Sequence, residues 1–147
     1  MVKSNRSTAA LTAACLALAP SLASAQGANV VGTIVRFSGG VASVDVTIGE
    51  DNPTVRDFLS LLPVTITLEE LNGRGYFSRK LATDASPGSD PEYGDLIYFV
   101  PWGNIGFYYN AAGIEYSDLT IHLGKYDATL DELEQLAAQP VRIEIVQ

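Results

Sequence analysis

Asn52-Pro53-Thr54-Val55-Arg56-Asp57-Phe58-Leu59-Ser60-Leu61-Leu62-Pro63 is the stretch on which the reading of the fold turns. Asn52 offers a side-chain acceptor to the unpaired amides of a helix start, and Pro53 fits the first helical position, where its missing N–H costs nothing. Val55, Phe58, Leu59 and Leu62 follow at i, i+3, i+4 and i+7, so one stripe is apolar while Arg56, Asp57 and Ser60 lie off it. Pro63 stops the helix. Almost everything around this short helix reads as strand.

Upstream, Ser38-Gly39-Gly40 separates an apolar run, Val30 to Phe37, from an alternating one, Val41 to Ile48, which is a hairpin pattern. Val44, Val46 and Ile48 share one face of the second strand, with Asp45 and Thr47 on the other. Downstream, Val64, Ile66 and Leu68 alternate with Thr65 and Thr67 as a further strand. Asn72-Gly73-Arg74-Gly75 reads as a turn into a strand over Tyr76 to Leu81, and Ser86 to Pro91 as a long exposed loop. Two aromatic-rich strands, Leu96 to Val100 and Ile105 to Tyr109, flank Pro101-Trp102-Gly103-Asn104, and a strand over Leu119 to Leu123 follows a loop at Asn110 to Ser117. Leu130, Leu133, Leu136 and Ala137 mark a second amphipathic helix whose acidic start suits the helix dipole, and Val141, Ile143 and Ile145 a final strand. Seven or so strands with two short helices predict a mainly β fold, a barrel or a sandwich; periodicity alone does not choose between them, and the two capping helices favour a closed barrel.

The chain has 147 residues, enough for one domain with its own core. Residues 1–25 stand apart from it. Lys3 and Arg6 form a basic start, Ala9 to Ala19 is small or apolar apart from Thr12, and Ala23-Ser24-Ala25 is an A-x-A cleavage site. This is the order of a secretory signal peptide cut between Ala25 and Gln26, leaving a domain over 26–147 that is exported, periplasmic or secreted. The apolar run is too short for a membrane anchor, which needs about 20 residues, so the processed chain is not expected to be membrane-embedded. Cys15, with Thr12 three places before it, does not fit a lipid-attachment site. Taking Lys3 and Arg6 from the 9 bases leaves seven against 17 acids, which moves the formal charge from −8 to −10. Such acidity opposes binding to nucleic acid.

The kit for common chemistry is sparse. The processed chain has no cysteine, and its single histidine, His122, lies between Ile121 and Leu123 on an apolar strand, where it reads as structural. No second imidazole or thiolate exists for a zinc site, and neither metal nor cofactor is expected. Asp84, Asp90, Glu92 and Asp95 surround a Gly/Pro/Ser loop but match no calcium-loop spacing, and read as a solvated acidic loop.

Four words of the sequence resemble the bacterial cyclophilin-like family: the helix stretch quoted above, Arg79-Lys80-Leu81, Gly94-Asp95-Leu96-Ile97-Tyr98-Phe99 and Pro101-Trp102-Gly103-Asn104-Ile105. The resemblance spans about Asp51 to Val146 and implies a cyclophilin-like β-barrel. Phe77-Ser78-Arg79 also looks like the Phe-His-Arg word of the true cyclophilins, the prolyl isomerases. There the arginine favours the twisted amide and lowers a barrier of about 18–20 kcal/mol. The resemblance makes Arg79 its counterpart and the candidate catalytic residue. The glutamine-bearing segment that follows in those enzymes has no match in Ala82 to Tyr93.

These readings converge on a non-catalytic module that binds a small molecule or an extended peptide in a groove bounded by Arg79, Trp102, Asn104 and Tyr108. A divergent peptidyl-prolyl isomerase using Arg79 is the second reading, and a structural subunit pairing through an edge strand or its aromatic patch the third. Mass spectrometry of the protein recovered from an exporting host is expected to give a chain beginning at Gln26; retention of residues 1–25 would remove the case for export.

Overall fold

The first reversal of the chain is made by Gly40. Strand β1 (Ile34–Gly39) pairs antiparallel with β2 (Ala42–Ile48), from Ile34 opposite Thr47 to Gly39 opposite Ala42, leaving only Gly40 and Val41 at the tip. Gly40 holds φ at +57°, a conformation that a tight hairpin requires and that glycine adopts without a steric penalty. The computed structural model describes residues 28–69 and 73–147. The leader expected over 1–25, its Ala25–Gln26 junction, and Asn72 of the expected turn lie outside the described residues.

After β2 come α1 (Pro53–Ser60), β3 (Val64–Thr67), β4 (Arg74–Tyr76), β5 (Asp95–Phe99), β6 (Asn104–Tyr108), β7 (Thr120–Tyr126), α2 (Leu130–Leu136) and β8 (Pro140–Ile145). The eight strands form one sheet in the order β3-β8-β1-β2-β7-β5-β6-β4. Its two ends meet at a bridge between Leu68 and Gly75, so the sheet is a nearly closed barrel. Gly75 suits that seam because a Cβ there would lie 2.5 Å from Ile66 Cδ1 and 2.8 Å from Leu68 Cδ2. The mainly β barrel with two short helices is the expected architecture, and the pairing of the strands selects it over a sandwich.

Alternate residues of each strand fill the interior. Val35 and Phe37, Val44 and Val46, Leu96 and Tyr98, and Ile105 and Phe107 all belong to one buried cluster. Three rings tie opposite walls together: Phe37 meets Phe107 edge-on at 5.1 Å, and Phe107 meets Tyr126 edge-on at 5.1 Å. In α1 the Asn52 side chain accepts from the Val55 amide at 2.9 Å, and Val55 and Phe58 are fully buried. Helix α2 starts on a capping box between Thr129 and Glu132 and buries Leu133 and Leu136.

Three expected strands have clearly different bounds. The one expected over Val30 to Phe37 begins only at Ile34 and takes in Ser38 and Gly39 of the expected turn, which pair with Ser43 and Ala42. The strand expected over Tyr76 to Leu81 begins and ends earlier, as β4. Past Tyr76 the chain leaves the sheet, because Phe77 packs on Phe58 of α1 at 5.8 Å and Arg79 pairs with Asp57 on the same helix. Arg79 therefore stands on a bend rather than a strand. The strand expected over Leu119 to Leu123 instead runs on to Tyr126. Gly124 permits this, since any Cβ there would collide with the Thr47 carbonyl oxygen of β2.

Candidate functional site: an aromatic pocket on the outer face of the barrel

Because Ile105 and Phe107 point into the core, their neighbours Asn104, Gly106 and Tyr108 face the other way. The register extends this outer face across three strands. Arg74 stands opposite Gly106 and Tyr76 opposite Asn104, while on the other side Ile97 faces Gly106 and Phe99 faces Asn104. Ile97 is only 2 % exposed yet lies outside the interior cluster, so outer-face side chains cover it.

Apart from Tyr76, these residues line a cavity of about 290 Å³. Ile97 and Gly106 contribute to it where the missing side chain of Gly106 leaves a hollow; a Cβ there would meet only Ile97 Cδ1, at 3.9 Å. Trp102 stands on the turn between β5 and β6, which Gly103 closes with φ at +66°. Its ring meets Phe99 edge-on at 5.3 Å, and the Arg74 guanidinium lies over it at 4.7 Å. Tyr108, Tyr109 and Asn110 also line the cavity. Burial pushes the Tyr108 phenol above its ordinary value, against opposing pulls from Arg74 and the Thr120 hydroxyl, so it keeps its proton at neutral pH.

Asn104 is the most telling member. It is 2 % exposed, and its Nδ2 has no hydrogen-bond partner. A buried donor left so costs about 1–3 kcal/mol, and native proteins carry few of them.

Of the four residues expected at the site, Trp102, Asn104 and Tyr108 come together here. Arg79 does not line the cavity. Its two terminal nitrogens donate to the two oxygens of Asp57, each at 2.7 Å, and the Ala82 amide donates to Asp57 Oδ2 at 2.7 Å. The cation on the pocket wall is Arg74, which the turn reading of 72–75 concealed. The available clue was alternation: Arg74 and Tyr76 flank Gly75 as a polar and an aromatic outer pair around an inward glycine.

Of the remaining polar candidates, Glu92, Asp95 and His122 have structural partners. Asp95 Oδ2 accepts from the Glu92 amide at 2.8 Å and lies 3.6 Å from His122 Nδ1. Lys125 Nζ stands 3.2 Å from Asp95 Oδ1, an ion pair without hydrogen-bond geometry, and 3.0 Å from Glu92 Oε2. His122 packs against Gly49, where a Cβ would lie 2.7 Å from Nε2. Among the described residues no three His, Cys, Asp or Glu side chains group to hold a metal. The loop expected at Ser86 to Pro91 is pinned: Ser89 and Ser117 exchange backbone hydrogen bonds of 3.1 and 3.0 Å, and Ser86 Oγ accepts from Thr54 Oγ1 at 2.7 Å.

Comparison with known proteins agrees with this architecture. A model of the Cyclophilin-like family matches residues 37–146, reaching back into β1. The solution structure of a hypothetical protein from Archaeoglobus fulgidus superposes with a TM-score of 0.62 at 21 % identity, covering 82 % of this chain and 99 % of that one. It shows a shared fold. No curated protein matches the chain.

The Asp57–Arg79 pair makes a stability prediction separate from the pocket. Hydrogen bonds from Arg79, then from Ala82 and Ser60, hold the Asp57 carboxyl down at about 2, against the opposing effect of burial. A depressed carboxylate stabilises the fold above its unfolded value of about 3.9, and that contribution is lost as pH falls toward 2. Arg79 is half exposed, so solvent screens the pair, and Arg79→Ala is expected to lower stability modestly at pH 6. In urea titrations the gap between the two proteins should close as pH falls from about 4 to 2; a gap that persists at pH 2 would refute the linkage.

Proposed function

The chain belongs to the cyclophilin-like family, and from that membership we propose that it is a non-catalytic binding module whose outer-face pocket takes a small molecule or a short stretch of extended peptide. The observation that carries this reading is Asn104 Nδ2, a buried donor without a partner on the wall of an aromatic cavity. The cavity's size is close to the lower end for small-ligand sites, which combine apolar walls with a few placed polar groups. Trp102 and Tyr108 supply apolar walls and Asn104 an amide. Arg74 takes the ligand-pairing place expected for Arg79 in the groove.

The isomerase reading requires a guanidinium aimed at a substrate amide, and the bidentate hold of Asp57 on Arg79 weighs against it. The leader-like residues 1–25 support placing the module outside the cytoplasm.

Two measurements test the proposal. In NMR titrations with a library of single-ring fragments, shifts should concentrate at the Gly106 amide and the Asn104 side-chain amide. Gly106→Leu should abolish them while changing stability by about 1 kcal/mol or less, since space for the side chain exists outside the core. Shifts elsewhere, or shifts untouched by that substitution, would sink the pocket assignment. In a proline cis/trans assay with varied residues before proline, the folded protein should give no acceleration; acceleration lost in Arg79→Ala would restore the enzyme.

A further inference from the structure

The chemistry of the pocket wall narrows the ligand class, granted the reading of the pocket as a binding site. Polar groups are unevenly spread around it. Arg74 brings only donors, and Asn104 Nδ2 is a further donor with nothing to bond. No carboxylate lines the cavity, and among the described residues Arg74 has no acidic partner. Its counter-ion position is open.

The geometry of that arginine is specific. Trp102 supports one face of the guanidinium at 4.7 Å. The N–H edge of a guanidinium lies in its own plane, where it matches the paired oxygens of a carboxylate. Asn104 is buried on the same wall, with its Nδ2 donor unpartnered. Along the same face Gly106 presents no side chain beside Ile97, with Phe99 and Tyr108 in neighbouring positions across β5 and β6. This bare strip fits a flat apolar group, and about 290 Å³ accommodates one ring with a short acidic arm rather than a polymer segment with several side chains.

We propose that the pocket binds a monocarboxylate bearing one flat apolar group, its carboxylate held by Arg74 and Asn104 Nδ2 and its ring laid over Gly106. A free aromatic acid and the C-terminal carboxylate of a peptide ending in an aromatic residue share this chemistry. A second carboxylate on the ligand would find no matching cation on the wall.

The test is an NMR titration of the purified protein with four probes: N-acetylphenylalanine, its C-terminal amide, benzoate and the tetrapeptide Gly-Gly-Gly-Phe. The acid is expected to bind at least about tenfold more tightly than the matching amide, as a charge-assisted contact implies. Arg74→Gln should remove that preference. Tighter binding of the tetrapeptide than of N-acetylphenylalanine assigns the carboxylate to a peptide end, and benzoate binding as tightly as either assigns it to a free acid. Equal binding of acid and amide overturns the carboxylate assignment while leaving the pocket reading in place. Failure of all four probes overturns it as well, and the fragment shifts at Gly106 then decide the pocket reading separately. The comparison of acid with amide needs no substitution, so it stands even where Arg74→Gln unfolds the protein.

Discussion

Phe107 is the constraint from which the rest of the site follows. Inside the barrel its ring is held edge-on by Phe37 and by Tyr126, so β6 cannot rotate or slip without breaking the aromatic column that joins the walls. A slip of one residue would also exchange the faces of the whole strand. With Phe107 inward, Asn104, Gly106 and Tyr108 face outward, and the register then places Arg74 and Ile97 on either side of Gly106. The pocket is thus a by-product of core packing. Its hollow is one missing side chain, in the middle strand of three.

Much of the architecture was legible in the sequence because apolar alternation and helix caps are local signals. Asn52-Pro53 starts α1, and Val44, Val46 and Ile48 face the core. What the sequence hid depends on contacts between distant segments. The shortness of β4 is set by Phe77 and Arg79 turning away to meet Phe58 and Asp57 of α1, and the length of β7 by the room Gly124 leaves for the Thr47 carbonyl. Trp102, Asn104 and Tyr108 could be chosen because they cluster along the chain around one turn. Arg74 could not, since its neighbourhood with Trp102 arises only when β4 pairs with β6.

The two arginines illustrate how partners decide a role. Both are near the same sheet edge, and the resemblance favoured Arg79. Asp57 occupies both of that residue's terminal nitrogens and is itself fixed by the Ala82 amide, so freeing the guanidinium would strand a carboxylate inside a hydrogen-bonded corner. Arg74 instead rests on an aromatic ring, a contact that orients the guanidinium without consuming its donors. Arg79 joins α1 to the chain beyond β4. Among the described residues Arg74 has no such structural partner, and it stands on the pocket wall.

An anion site on so acidic a chain must work at short range. With a formal charge of −8 over the whole sequence and −10 over residues 26–147, the protein as a whole repels the ligand class inferred for it. At physiological ionic strength that repulsion fades within about 8 Å, so it slows approach more than it weakens the bound state. Affinity therefore depends on what is already in place: a guanidinium held by Trp102, an amide buried beside it, and apolar walls that need no rearrangement to receive a ring. Preorganisation of this kind lowers the entropy cost of binding, and it is the means left to a small pocket that long-range attraction does not assist.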